Sequence, residues 1–412
     1  MKYPIGLQSF ENIRRSKFLY VDKTDMIYQL VMQGGCHFLM RPRRFGKSLL
    51  VSTLEAYFSG KKELFTGLAI DSLEKEWASY PVLYLDFNPE DYSRKGALEL
   101  RLTLAITQWE SIYGRYELEK TLSQRFEGVI ERAYKKTGKQ VVILVDEYDK
   151  PLLQAIGNNE LQSDYRGLLK SVYGALKSQD RYIRFALLTG VTKFGKVSVF
   201  SDLNNLQDLS MDEEYQALCG VTQDELETIF AEPIKQLATK YKLSVEEALC
   251  RLKERYDGYH FVENGIGIYN PFSLLNTFKR LQFGSYWFET GTPTYLVELL
   301  KQDNYRLPNL TKEVSTADVL NCIDTASNNP IPVLYQSGYL TIKSFDEEFG
   351  EYRLGFPNKE VEEGFTRFLL PYYTGLRNPE TPFSMGEFVR DLRSGRPEDF
   401  MQRMATLCRH RL

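Results

Sequence analysis

The segment Phe38–Ser48, FLMRPRRFGKS, followed at once by LLVSTLEAYF, constrains the fold more than any other stretch of this chain. An apolar run leads into a short loop that ends Gly46-Lys47-Ser48 and passes directly into an apolar helical pattern. Such a strand–loop–helix unit turns loop amides and a helix N-terminus toward an anion, so it favours an α/β fold with a phosphate site at the strand end. Gly46 allows close backbone approach, Lys47 reaches β and γ phosphate oxygens, and Ser48 offers a hydroxyl to Mg²⁺. The residues expected to cradle the phosphates are Arg43, Arg44, Phe45, Gly46, Lys47, Ser48 and Leu49. Against the usual G-x-x-x-x-G-K-S/T pattern, the first glycine position is Arg41. Arginine adopts positive φ poorly, so the loop should enter by a different backbone path, stiffened by Pro42. The alternative for the same residues is a surface turn in which Arg41, Arg43, Arg44 and Lys47 are solvated charges.

A second signal is VVILVDEYDKP, Val141 to Pro151. Five apolar residues deliver Asp146 and Glu147 to the C-terminal end of a buried strand, where ligands of open α/β sheets collect. Asp146 is placed to hold Mg²⁺, and Glu147 to orient and polarise an attacking water. Taken alone, the pair is equally a strand that ends in charges. Downstream of a phosphate loop it strengthens the case for ATP or GTP, and Glu147 favours hydrolysis over transfer to a metabolite. Asp149 and Lys150 are left without a role. In IRFALLTGVTKF, Thr189 is the candidate to position water or the γ-phosphate and Thr192 is second, though a hydroxyl that merely ends a strand fits as well. Arg181, Arg184, Arg43 and Arg44 are all available as γ-phosphate cations, and the sequence selects none.

The strand candidates Cys36–Met40, Val82–Phe87, Val141–Val145 and Ile183–Leu188 alternate with helical stretches at Leu49–Phe58, Gly96–Tyr113 and Tyr165–Leu176, the pattern of a mostly parallel sheet covered by helices. Beyond Leu209 helices dominate. Thr222 with Glu225 and Ser244 with Glu247 have capping-box spacing, and Asn270-Pro271 and Thr292-Pro293 place a cap before a first-turn proline. Tyr339–Phe345 and Tyr352–Phe356 flank the turn DEEFGE as a β-hairpin, so a winged-helix-like region is expected. At 412 residues the chain is about 2.7 times an ordinary domain.

Composition narrows the chemistry. The five cysteines are scattered without a C-x-x-C pair and the three histidines are isolated, which disfavours a disulfide framework, a zinc module and a Ser-His-Asp hydrolase. Lys plus Arg (52) against Asp plus Glu (55) leaves −3, so net charge does not advertise nucleic acid. No apolar run reaches the roughly 18 residues of a membrane span. A cytoplasmic location without a membrane partner is the expectation.

With these residues in view, the chain resembles a bacterial AAA-ATPase-like family. The matching motifs are PIGLQSFENIR, YVDKT, RPRRFGKSLL, VDEYDKP, LLTGVTKF with SDLNNLQDLS, YDGYHF with IYNPFSLL, and PNKEVEEGF. The family itself carries arginine at the position of Arg41. The resemblance implies a nucleotide site made by Gly46, Lys47 and Ser48 with Asp146 and Glu147, and a helical lid and winged-helix-like region past about residue 220. Members typically continue into a PD-(D/E)XK nuclease-like domain. No such constellation follows Phe383, and the helix stripe Phe400, Met401, Met404 and Leu407 lacks a partner, so a product ending inside its third domain is expected.

Three regions follow: residues 1–215 as the nucleotide-binding domain, 216–380 as the helical and winged-helix-like domain, and 381–412 as the start of a third. The favoured function is that of a Mg²⁺-dependent ATPase acting as a nucleotide-driven switch. The rival is a non-hydrolysing nucleotide sensor or interaction protein. ATP is preferred to GTP because no N-K-x-D motif appears. A protein partner of unknown identity is expected, an oligomer is compatible with the sequence, and DNA is weakly supported because the hairpin turn carries Asp346, Glu347, Glu348 and Glu351 against Lys343 and Arg353.

Overall fold

The computed structural model describes residues 1–194, 200, 203–287, 314–320, 323, 329–374, 390–391, 394–399 and 401–402. Thr292-Pro293, Ser384, Glu387, Phe400, Met404 and Leu407 lie outside the described residues.

Five parallel strands form the main sheet: β1 (Gly35–Met40), β2 (Val82–Asp86), β3 (Val141–Asp146), β4 (Ile183–Gly190) and β5 (Leu206–Asp208), in the order β2-β3-β4-β1-β5. Every residue of β3 and the last six of β4 are buried, so helices cover both faces and the strands read as unbroken apolar runs. The helix Lys47–Phe58 leaves β1 and packs on β3 and β4. Helices Ala97–Tyr113 and Leu122–Thr137 connect β2 to β3. The expected Tyr165–Leu176 helix is instead Asn159–Tyr173 followed by a separate short helix Ala175–Ser178, because Gly174 interrupts it. β5 is only three residues long and falls in no apolar run, so no sequence pattern marked it.

Past β5 the chain builds helices Gln223–Ile229, Ala231–Tyr241, Val245–Tyr256 and Pro271–Arg280. Both expected capping boxes are made, and Asn270 accepts from the Ser273 amide ahead of Pro271. These helices enclose their own apolar core, including Leu226, Phe230, Leu237, Leu252 and Phe278. A three-stranded antiparallel sheet follows, β6 (Val314–Thr316), β7 (Thr341–Asp346) and β8 (Glu351–Gly355), in the order β6-β8-β7. The helix Ile331–Gln336 precedes the hairpin and Lys359–Thr374 follows it. Leu334, Tyr339, Leu354 and Val361 from this last unit belong to the same continuous core as the main sheet.

Candidate nucleotide site

The sheet order decides which motifs meet. β4 lies between β1 and β3, so the strand ending at Thr189-Gly190 sits between the glycine-lysine-serine loop and the Asp146-Glu147 pair. Arg181 and Arg184 stand at the opposite end of β4. The Arg184 guanidinium donates to Val31 O at 3.2 Å and Arg181 lies over the Tyr182 ring, which removes both from the phosphate end.

Arg41 solves its backbone problem by continuing β1: its amide donates to Gly190 O at 3.2 Å, and its φ is not positive. The left-handed residues are Arg44, at φ 65°, and Gly46, at φ 98°, so the sharp turn comes later than in a loop that opens on glycine. The Arg41 side chain is neither solvated nor aimed at phosphate. It is 1% exposed, donates to Met40 O and Ser210 O at 2.8 Å and to Tyr215 O at 3.1 Å, and stacks 4.1 Å from the Phe261 ring. Phe45 is also buried, edge-on against Tyr259 at 4.8 Å and Phe261 at 5.7 Å. Burying that ring contributes about 2–3 kcal/mol and fixes the loop to the YDGYHF motif. Arg43 O accepts from the Trp287 indole at 3.1 Å, while exposed Arg44 sits over Phe272 at 5.1 Å.

Lys47 opens its helix and is 4% exposed. Its ammonium donates to Arg41 O at 3.1 Å and Pro42 O at 3.4 Å and lies 3.4 Å from Glu147 Oε1. Glu147 is itself left-handed, at φ 56°, a conformation that costs a non-glycine residue about 1–3 kcal/mol and gathers at functional sites. Asp146 is 1% exposed; Thr189 donates to its Oδ1 at 2.6 Å, and the Ser48 hydroxyl also bonds its carboxylate. Burial, then the charge of Glu147, raise the Asp146 pKa, while Ser48, Thr189 and Lys47 oppose the shift. Thr189 is fully buried and touches Asp146, not the open cavity. Thr192 is also buried and donates to Asp149 at 2.6 Å.

Among the described residues no three His, Cys, Asp or Glu side chains gather into a metal cage. Ser48 and Asp146 fit the sparser requirement of Mg²⁺, which keeps several waters and takes one or two protein oxygens plus phosphate.

The loop opens on a cavity of about 850 Å³, within the size range of cofactor sites. Its polar end is lined by Arg43 to Ser48, Glu147, Lys150 and Val191. Apolar Pro4, Ile5, Leu7, Val221, Phe272 and Leu275 also line the cavity. Spacing alone could not reveal that PIGLQSF and YNPFSLL line one cavity, although both motifs were visible. Asp149 was likewise missed: it is fully buried and accepts from the Val191 and Thr192 amides. Burial, then the charge of Glu147, push its pKa up.

A parallel sheet with β4 between β1 and β3, a G-K-S loop entering a helix, and a strand-end Asp bonded to the loop Ser define the P-loop ATPase fold. A family model described as predicted AAA-ATPase matches residues 4–200. The chain is 38% identical over 376 residues to a protein of Azotobacter chroococcum mcd 1 described as the uncharacterized protein in the vnfD 5′ region, covering 90% of this chain and 70% of that one. The chain belongs to this AAA-ATPase-like family. A solved structure of the Aeropyrum pernix ORC2 protein, in ADPNP-ADP complexes, aligns over 83% of this chain and 90% of its own at 12% identity and a TM-score of 0.29. The fold assignment rests on the sheet itself and takes nothing from that likeness. Among the described residues no helix is long and apolar enough to cross a membrane.

Proposed function

We propose that the chain binds ATP with Mg²⁺ and hydrolyses it to ADP and phosphate, using the nucleotide state as a switch. The observation that carries this reading is that Lys47, Ser48 and Glu147 line one nucleotide-sized cavity, with buried Asp146 bonded by Ser48 behind them. Lys47 exchanges the Arg41 and Pro42 carbonyls for β and γ oxygens. Arg43 and Arg44 add positive charge at the same end, Phe45 anchors the loop, and the Gly46–Leu49 amides open the helix toward the phosphates. Glu147, released from Lys47, orients the water that attacks the γ-phosphorus. Ser48 and Asp146 hold the cation, with Thr189 fixing the Asp146 carboxylate. Bound Mg²⁺ neutralises charge on the β and γ oxygens. The apolar lining takes the base, which suits adenine.

The proposed division places the nucleotide-binding region at residues 1–215 and a second region from residue 216. Because the Val221–Phe278 helices have a core of their own and line the same cavity, they are the body that closes on ATP. The Lys23 ammonium, held by both Glu225 carboxylate oxygens at 2.5 and 2.7 Å, ties them to the N-terminal segment. The hairpin favours a protein partner over DNA, since the Lys343 ammonium already donates to Pro357 O and the turn is acidic. The test is calorimetric ATP titration and phosphate release on the full chain. Lys47→Ala should abolish binding; unchanged affinity in that variant overturns the site.

A further inference from the structure

Beyond Gly190, β4 runs into a short segment that touches three parts of the molecule. Val191 lines the polar end of the cavity. Its amide and the amide and hydroxyl of Thr192 donate to one oxygen of Asp149, at 3.1, 2.6 and 2.6 Å. Tyr148 binds the same segment from the other side: its hydroxyl donates to Thr192 O at 3.0 Å and accepts from the Phe194 amide at 3.2 Å. The two residues directly after Glu147 therefore hold residues 191–194 in place.

The far side of the segment reaches the C-terminal unit. The Lys193 amide donates to Gln336 Oε1 at 2.8 Å, and Lys193 O accepts from the Ile323 amide at 3.0 Å. Gln336, 2% exposed at the end of the Ile331–Gln336 helix, donates in turn to Leu320 O at 2.7 Å. One buried side chain thus joins the segment to the helix that leads into the hairpin.

Asp149 is held on one side only. Its Oδ1 is buried without a hydrogen-bond partner and faces Gly190, where an added Cβ would fall 2.7 Å away. A buried acceptor left unmatched is costly.

We infer that Gly190–Phe194 is the link that carries the state of the nucleotide site into the C-terminal helix-and-hairpin unit, with Asp149 and Gln336 as its positioning residues. This rests on the nucleotide-switch reading above. Occupancy at the polar end shifts Val191 against Glu147; the segment is too short and too fully bonded to absorb the shift, so Lys193 passes it to Gln336.

The experiment is amide hydrogen exchange on the full chain with and without Mg-ATP, in the Glu147→Gln background that retains ATP. Exchange across residues 331–346 should slow about fivefold or more when ATP binds, the scale of ordinary coupling. Gln336→Met, similar in length but unable to make either bond, should keep ATP affinity within about threefold yet lose that response. Asp149→Asn and Thr192→Val test the other end in the same background, should Gln336→Met fold poorly, and both should lose the ATP response at 331–346 while ATP still binds. An ATP response at 331–346 that survives in these variants overturns the link. So does ATP binding with no response there at all. Failure of Glu147→Gln and the unmodified chain to bind ATP instead removes the nucleotide reading, and the link with it.

Discussion

The Lys47 ammonium lies 3.4 Å from the Glu147 carboxylate, with the carbonyl oxygens of Arg41 and Pro42 as its other partners. Glu147 holds this position from a left-handed backbone. On the proposed function, ATP would have to displace a carboxylate to reach Lys47. Glu147→Gln weakens that competition and removes the base in one step. ATP affinity should rise by a few-fold, the worth of a partly exposed ion pair, while phosphate release falls about 100-fold or more. Calorimetry and a single-turnover assay on the same preparation check both halves.

Thr189 is predicted to act through Asp146, to which it donates at 2.6 Å. Thr189→Val leaves the shape of the buried site but frees one carboxylate oxygen. Affinity for Mg-ATP should drop about tenfold, as when the partner of a metal-binding carboxylate is lost, whereas metal-free ATP binds as before. Titrations with and without Mg²⁺ separate the two, and equal losses would place Thr189 in general stability instead.

Arg41 is a strut, so restoring glycine there should harm the protein. Arg41→Gly strips donors from the Ser210 and Tyr215 carbonyls and opens a hole beside Phe261. The expected cost is about 3 kcal/mol or more in urea unfolding, with no gain in ATP affinity despite a loop that then matches the common pattern.

Glu360 gives the fold a pH dependence. It is fully buried, accepts from Ser273 Oγ and the Trp287 amide, and burial pushes its pKa up to about 7 from 4.5. The folded state then binds the proton more tightly than the unfolded chain. Its contribution is complete below pH 4.5 and is lost as pH rises through about 7, a swing of about 3 kcal/mol. Glu360→Gln should match the parent near pH 4 and exceed its stability at pH 8, read from urea midpoints across that range.

Much of the main sheet was legible because β1, β3 and β4 are buried on both faces and so appear as apolar runs, and the caps at Thr222, Ser244 and Asn270 were legible because capping is local. β5 was not, being short and partly exposed at a sheet edge. In the site, Gly46, Lys47, Ser48, Asp146 and Glu147 carry their chemistry in local spacing. Asp149 reads as one more charge until β4 is placed beside β3, and Arg41 reads as a departure from the glycine pattern or a solvated charge until Ser210 and Tyr215 are seen behind it. What escaped the sequence was partnership across long separations.

The cavity takes part of its apolar lining from residues 4–7 and part from residues 271–275. Residues 4–7 leave the ribosome well before residues 271–275 are made. Bringing the two together closes a long loop at a cost in chain entropy. On the proposed function, ATP would tie the start of the chain to a helix made much later and shift the equilibrium away from the unfolded chain. A cell short of ATP would hold more of this protein in forms that proteases can reach.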